Sequence, residues 1–142
     1  MILVGTNVLY ALADRGGKHH ARCAAWLRRT PDVLMVPATV LAETCYLIGR
    51  APGPTAEAAF LDSVGTGLDY TFQLAELVDS DLRRMSGLVR QYADLRLGGT
   101  DASVVATCER LGIVTVATVN LRDFAAVRPR HVPAFITVPG LD

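Results

Sequence analysis

Four polar side chains stand where their oxygen atoms could share a cation. Glu43 lies in a segment that is otherwise apolar or weakly polar, and Asp101 opens a predicted helix. Asn120 and Asp123 follow an apolar run. Oxygen ligands without histidine suit a hard cation such as Mg²⁺. A cation held in this way can orient water and offset the charge of a phosphate group during in-line displacement.

Each of these residues also has a simpler explanation. Asp101 would stabilise the first turn of a helix through the helix dipole. Glu43 would be an ordinary solvated position, and Asn120 with Asp123 would form a turn. The cation interpretation therefore depends on all of them meeting at one place, where a cation would offset the mutual repulsion of the carboxylates.

The elements that must bring these residues together alternate between strand and helix. Apolar runs predict strands at 2–4, 33–36, 74–78, 113–117 and, at an edge of the sheet, 135–138. Helical spacing and stop signals predict helices at 6–13, 18–29, 37–48, 54–64, 80–92 and 101–111. The alternation predicts an α/β fold, a three-layer α/β/α sandwich with a mostly parallel sheet of about five strands, in one domain spanning residues 1–142.

Ligands of open parallel sheets gather beyond the carboxyl ends of the strands. Gly5 and Thr6 follow the first predicted strand, and Thr118 follows the strand at 113–117. We therefore expect these residues to meet Glu43 and Asp101 at one edge of the sheet.

Two predicted helices also carry specific capping and packing expectations. Ser80 is the expected N-cap of the helix at 80–92, and Thr100 that of the helix at 101–111, which Gly112 should end. The spacing of the apolar residues in the helix at 80–92 predicts the side chains that face the core, which are Leu82, Met85, Leu88 and Val89.

The composition excludes several classes of protein. The chain has 142 residues, 14 basic against 14 acidic, and a mean hydropathy of +0.31, so it is neither disordered nor a highly basic nucleic-acid coat. Its three cysteines form no CxxC pair, which argues against a thiolate zinc site or a disulfide framework and favours the cytoplasm. The apolar N-terminal stretch is too short to span a membrane.

Four segments, taken in order, carry a family pattern. They are residues 1–9 (MILVGTNVL), 41–43 (LAE), 99–106 (GTDASVVA) and 116–124 (VATVNLRDF). Together they resemble the PIN-domain family, in particular the VapC-type ribonuclease toxins of bacterial toxin–antitoxin pairs. The resemblance covers essentially the whole chain.

The resemblance implies endonucleolytic cleavage of RNA that depends on Mg²⁺, with Mn²⁺ as an alternative. It makes Asp101 a metal ligand, directly or through water, and Glu43 a residue that binds the metal or orients water on it. Asn120 would complete the pocket, with Asp123 as the alternative carboxylate. Supporting hydroxyls would come from Thr6 and Thr118.

Gly5 departs from the family pattern, because the family has a metal-binding Asp at this position and glycine has no ligand atom. Two explanations stay open, a loss-of-function form of an active toxin and a natural protein that has lost strong catalysis. Either way we expect weak Mg²⁺ binding and poor RNA cleavage. The alternative function is a non-catalytic PIN-like protein that binds RNA or a partner. A generic phosphate-binding domain is weaker still, because no GxxxxGK[ST] loop occurs.

An acidic pocket requires cations elsewhere to hold RNA. The candidates for phosphate contacts are Arg83, Arg84, Arg90, Arg122, Arg128 and Arg130. The resemblance further implies a homodimer bound to a VapB-like antitoxin whose C-terminal segment crosses the active-site groove. The apolar and aromatic side chains expected to receive that segment are Leu9, Tyr10, Tyr46 and Leu47.

Overall fold

A computed structural model describes residues 1–140 of the chain. Its strands are β1 (Ile2–Val4), β2 (Leu34–Pro37), β3 (Val64–Gly65), β4 (Phe72–Ala75), β5 (Thr115–Ala117) and β6 (Ile136–Val138). Its helices are α1 (Thr6–Ala13), α2 (His20–Arg29), α3 (Ala38–Arg50), α4 (Pro54–Asp62), α5 (Asp79–Gln91), α6 (Gly99–Leu111) and α7 (Leu121–Ala126).

The strands form one sheet in the order β3-β4-β2-β1-β5-β6, and every pairing is parallel. The predicted α/β class and edge position of the last strand are confirmed. The sheet has six strands instead of about five, because the two residues of β3 pair with β4. Such a short strand leaves no apolar run, and the sequence at 65–67 indicated only the end of a helix.

The core is centred on β1, which lies between β2 and β5. Leu3, Val4, Val36 and Val116 have no exposed surface. Strands covered by helices on both faces are apolar at every position, which is why these short runs could be recognised in the sequence. The register sets Leu3 beside Val116 and Met35, so the carboxyl ends of the three strands lie along the same edge.

Four helices begin earlier or later than predicted, and the first of them, α2, begins at His20 instead of residue 18. Pro37 ends β2 in an extended conformation and serves as the N-cap of α3, which begins at Ala38. The N-cap of α5 is Val78, whose backbone N–H donates to the Asp81 carboxylate, so Ser80 lies inside the helix. Thr100 is likewise the second residue of α6 instead of its cap.

The inward face of α5 differs from the predicted one. Leu88 is fully buried, but Leu82 and Val89 are 53% and 39% exposed. Asp81 is buried instead, because Arg110 of α6 pairs with its carboxylate at 3.0 Å. Asp81, Met85 and Leu88 follow the i, i+4, i+7 spacing of one helix face. Local periodicity could not predict that an acidic residue would occupy this face, because its partner lies in another helix.

Two further observations complete the fold. Gly112 ends α6 in the left-handed conformation with φ of +71°, as predicted. Within residues 1–140, no helix combines the length and the apolar character needed to span a membrane.

Candidate active site

The carboxyl ends of β1 and β5 are joined directly, since the Gly5 N–H donates to the Ala117 carbonyl at 2.9 Å. Beyond this junction lies a cleft of about 220 Å³. Its walls include Gly5, Thr6, Glu43, Asp101, Thr118 and Tyr10. Four segments of the chain therefore supply one site, as the strand order requires. Asn120 and Asp123 are the predicted residues that do not line it.

The two carboxylates of the cleft come from different helices. Glu43 lies in the second turn of α3, and Asp101 lies in the first turn of α6. Burial, together with the negative charges of Glu43 and Asp123, raises the pKa of Asp101 to about 6. Asp101 is therefore held in a place where a negative charge is costly and where a cation would be stabilising.

Gly5 leaves the space for a third side chain empty. Its backbone has φ of −85° and ψ of 164°, an extended conformation open to any residue. A Cβ atom added there would lie 3.3 Å from the Ala117 carbonyl oxygen and 3.9 Å from Asn7 Oδ1. A side chain at this position therefore needs only a small shift of one backbone carbonyl. Neither positive φ nor severe crowding requires glycine here.

Asn120 and Asp123 form a unit at the start of α7. Asn120 Nδ2 donates to Asp123 Oδ2 at 2.7 Å, and Asn120 Oδ1 accepts the backbone N–H of Asp123 at 3.5 Å. The amide of Asn120 is thus engaged as a helix cap. Of the two residues, Asp123 is the one whose charge acts on Asp101.

A second group of polar residues connects the β5–α7 loop to α1 by hydrogen bonds. The sequence analysis did not assign its central residue, Asn7, to the site. Asn7 Oδ1 accepts the Val119 N–H at 3.1 Å, and Asn7 Nδ2 donates to Thr118 Oγ1 at 3.4 Å. The same Thr118 oxygen accepts the Asn120 N–H at 2.9 Å. The available signal was a small polar residue three positions after a buried strand, but its partners lie more than a hundred residues away.

The two carboxylate-bearing helices are also tied to each other. Thr39 Oγ1 in α3 and Ser103 Oγ in α6 lie 2.5 Å apart, and Ser103 donates to the Thr100 carbonyl. Ser103 has no exposed surface. Because Thr39 is one turn before Glu43 and Ser103 is two residues after Asp101, this bond fixes the helices beside the cleft.

The donor set fits a hard cation, although with few ligands. No group of three or more His, Cys, Asp or Glu side chains in residues 1–140 could hold a metal ion. Mg²⁺ is commonly bound through one or two carboxylates and keeps several waters, and Glu43 with Asp101 meets that minimum. The buried Thr6 hydroxyl has no hydrogen-bond partner within the described residues, so it remains available to a ligand in the cleft.

Several arginines predicted to contact phosphate are already engaged. Arg84 donates through Nε and Nη2 to the Glu109 carboxylate, at 2.6 and 3.1 Å. Arg90 donates to Ser86, and Arg128 donates to a backbone carbonyl. The expectation for Arg84 is wrong, because its guanidinium forms a mostly buried pair that joins α5 to α6.

Comparison with known proteins gives the same architecture. The chain is 29% identical over 138 residues to Ribonuclease VapC26 of Mycobacterium tuberculosis, covering 97% of this chain and all of the relative. The crystal structure of M. tuberculosis VapC20, a toxin that cleaves the sarcin-ricin loop, matches with a TM-score of 0.74 at 22% identity, over 82% of this chain and 87% of that one.

A toxin–antitoxin complex from Klebsiella pneumoniae matches with a TM-score of 0.65 at 20% identity, over 96% of this chain and the whole of the other. The family model for the PIN domain matches residues 2–128. The predicted family is therefore confirmed, and this chain belongs to the PIN-domain family.

Proposed function

We propose that this protein is the toxin of a toxin–antitoxin pair, a metal-dependent endoribonuclease whose activity is lowered by Gly5. The observation that carries the proposal is the meeting of Glu43 and Asp101 in one cleft, where burial and neighbouring negative charge raise the pKa of Asp101 to about 6. The 29% identity to a ribonuclease over nearly the full chain supports the same activity.

In this proposal each side chain in or beside the cleft has a separate role. Asp101 and Glu43 would hold Mg²⁺ or Mn²⁺, and the bound cation would supply positive charge to offset that of the phosphate at the bond that is cut. Asp123 adds negative charge and is oriented by Asn120. Thr6 would offer the bound group a hydroxyl that has no hydrogen-bond partner within residues 1–140. Thr118 and Asn7 keep the loop after β5 in place.

Gly5 lines the cleft but has no side-chain atom that could bind the cation. Loss of groups that only orient metal ligands costs about 10- to 100-fold in metal affinity or activity, so loss of a ligand should cost at least that. Gly5→Asp should therefore raise RNA cleavage in Mg²⁺ by about 10-fold or more. Gly16→Asp is the matched control, since it adds the same charge at an exposed glycine with open space around it.

Cleavage that is unchanged in Gly5→Asp would overturn the catalytic assignment. The second candidate function would then apply, a non-catalytic PIN-like protein that binds RNA or a partner. The missing side chain of Gly5 is the observation that favours this second candidate. Retained RNA binding without cleavage in Gly5→Asp would support it.

The partner assignment is also a proposal. A matching structure is a toxin–antitoxin complex, which supports a VapB-like antitoxin for this chain, and we propose a homodimer in the cytoplasm as the toxin unit. Light scattering of the chain alone and with the co-expressed neighbouring gene product tests both. A monomer alone, or no complex with the antitoxin, would contradict them.

A further inference from the structure

One face of α3 carries a row of side chains that leads away from the cleft. Glu43, Tyr46, Leu47 and Arg50 follow the i, i+3, i+4, i+7 spacing and so lie along one side of the helix. Seven residues of α-helix rise on the order of 10 Å. Arg50 therefore lies beyond the catalytic carboxylates but within reach of the adjoining part of a bound chain.

The cleft continues in this direction. Tyr10 and Leu47 line both the acidic cleft and an adjoining hollow of about 420 Å³, and Arg50 lines the hollow. A chain-like ligand leaving the carboxylates along α3 thus passes an apolar wall and then meets a cation. Along this path the ligand would meet the carboxylates first, then an apolar wall, and then a cation. This order suits a polyanion that carries flat apolar groups.

Tyr46 and Arg50 are arranged as a pair at the end of this path. Arg50 Nη1 donates to the Tyr46 hydroxyl at 3.0 Å, and its Cζ atom lies 5.3 Å from the centre of the ring. No carboxylate within residues 1–140 forms a salt bridge with Arg50. Tyr46 is 61% exposed. One face of the ring is therefore covered by the guanidinium, and the other is open.

We propose that Tyr46 and Arg50 form a nucleotide-binding subsite for the RNA segment next to the bond that is cut. A base stacks on the open face of Tyr46, and Arg50 contacts the adjacent phosphate. Single-stranded RNA is recognised in this way, through aromatic stacking and arginine contacts. The subsite rests on the proposed ribonuclease function and adds to it how an acidic cleft holds its polyanionic substrate.

The charges favour RNA over a protein segment as the occupant. Glu43, Asp101 and Asp123 repel a phosphate chain, so productive binding requires a cation outside the cleft but near it. Arg50 meets that need, because no carboxylate of residues 1–140 forms a salt bridge with it. An apolar peptide would use Leu47 and Tyr10 but would gain little from the positive charge of Arg50.

Removal of a stacking aromatic costs about 5- to 150-fold in affinity per base. Tyr46→Ala should weaken binding of a short single-stranded RNA by about tenfold or more in Mg²⁺. Tyr46→Phe should retain most of the affinity, since the ring remains. Arg50→Ala should weaken binding and reduce its salt dependence, and Arg50→Lys should restore part of both. Both side chains are exposed, so these variants should fold.

The probe is an RNA that carries one fluorescent purine analogue, with affinity measured by anisotropy and RNA integrity checked on a gel. Stacking on Tyr46 should quench the analogue, and Tyr46→Ala should abolish the quenching. Arg28→Ala, which removes an exposed arginine of α2, is the matched control and should change neither reading. Thermal melts of every variant confirm that the fold is intact.

Failure of the nucleotide-binding subsite and failure of the proposed ribonuclease function give different results. If the parent chain binds RNA but Tyr46→Ala and Arg50→Ala leave affinity and quenching unchanged, the subsite is refuted and the proposed function stands. If these variants lose only a co-expressed protein partner, the surface belongs to that partner and the subsite is likewise refuted. If the parent chain binds no RNA, the proposed function fails and the subsite fails with it.

Discussion

Replacing Asp101 by asparagine should stabilise the metal-free protein near neutral pH. Within residues 1–140 the Asp101 carboxylate accepts no hydrogen bond that would stabilise its charge. Burial and the negative charges of Glu43 and Asp123 oppose its ionisation. Asparagine has nearly the same shape and carries no charge. The substitution therefore removes an electrostatic cost without breaking a bond in the fold.

The magnitude follows from the pKa of the folded state. Folding raises the pKa of Asp101 from 3.8 to about 6, which corresponds to about 3 kcal/mol between the two protonation states. Because the side chain is partly exposed to solvent, we expect about 1 to 2 kcal/mol. The stability linked to protonated Asp101 is fully present below pH 3.8 and is lost as the pH rises through about 6.

Thermal melts in chelator at several pH values measure this effect. Asp101→Asn should match the parent below pH 3.8, the pKa of the unfolded state. Its Tm at pH 8 should be higher by about 3 to 8 °C for a chain of this size. Asp79→Asn is the control, because Asp79 is an exposed first-turn residue of α5. Its removal should lower stability slightly through the helix dipole.

Addition of Mg²⁺ provides a second measurement. The cation should stabilise the parent at pH 8 by binding only the folded state, and it should stabilise Asp101→Asn less. Equal or lower stability of Asp101→Asn across the whole pH range would refute the electrostatic reasoning, and with it the view of the cleft as a cation site.

Three further predictions concern Gly5, the pair of Arg84 and Glu109, and Asn120. Gly5→Asp in chelator should be less stable than the parent at neutral pH, because it adds a like charge beside Asp101, and Mg²⁺ should reverse the loss. A variant that is as stable as the parent and whose stability does not change with Mg²⁺ would contradict this. Glu109→Gln should cost about 2 to 4 kcal/mol, measured by urea unfolding, because it leaves the mostly buried guanidinium of Arg84 without its anion. Burial raises the pKa of Glu109, but the hydrogen bonds that its carboxylate accepts lower the pKa overall. The stability that the ion pair contributes should therefore be lost as the pH falls below 4.5. Urea unfolding curves that show no such loss would contradict this prediction. Asn120→Ala should cost about 1 kcal/mol as a lost helix cap and should lower RNA cleavage in the Gly5→Asp background by releasing the Asp123 carboxylate; an unchanged melt would show that the cap contributes nothing.

The residues that follow buried strands were the predictable part of the site. Uniformly apolar runs identified β1 and β5, and parallel strands share an edge, so Gly5, Thr6 and Thr118 could be expected in one place. Glu43 was recognisable because its neighbours along α3 are apolar or weakly polar. These expectations rest on local pattern and on the general geometry of parallel sheets.

The features that the sequence did not reveal depend on contacts between distant segments. Leu82 was expected inside because it is apolar, but Asp81 takes the inward place once Arg110 of another helix pairs with it. Asn7 was not assigned to the site, because only the return of β5 to its side gives it Val119 as a partner. Local periodicity carries no information about such partners.

The central position of β1 has a consequence for the order in which the protein can be built during synthesis. β1 is made before the other strands of the sheet, yet one of its two neighbours, β5, is made more than a hundred residues later. A nascent chain that has reached only residue 111 already contains Glu43 and Asp101, but it lacks the strand that pairs with β1 and the loop that Asn7 holds. Assembly of the cleft therefore waits until β5 and the loop that follows it have been made, so a growing chain cannot act on RNA before that point.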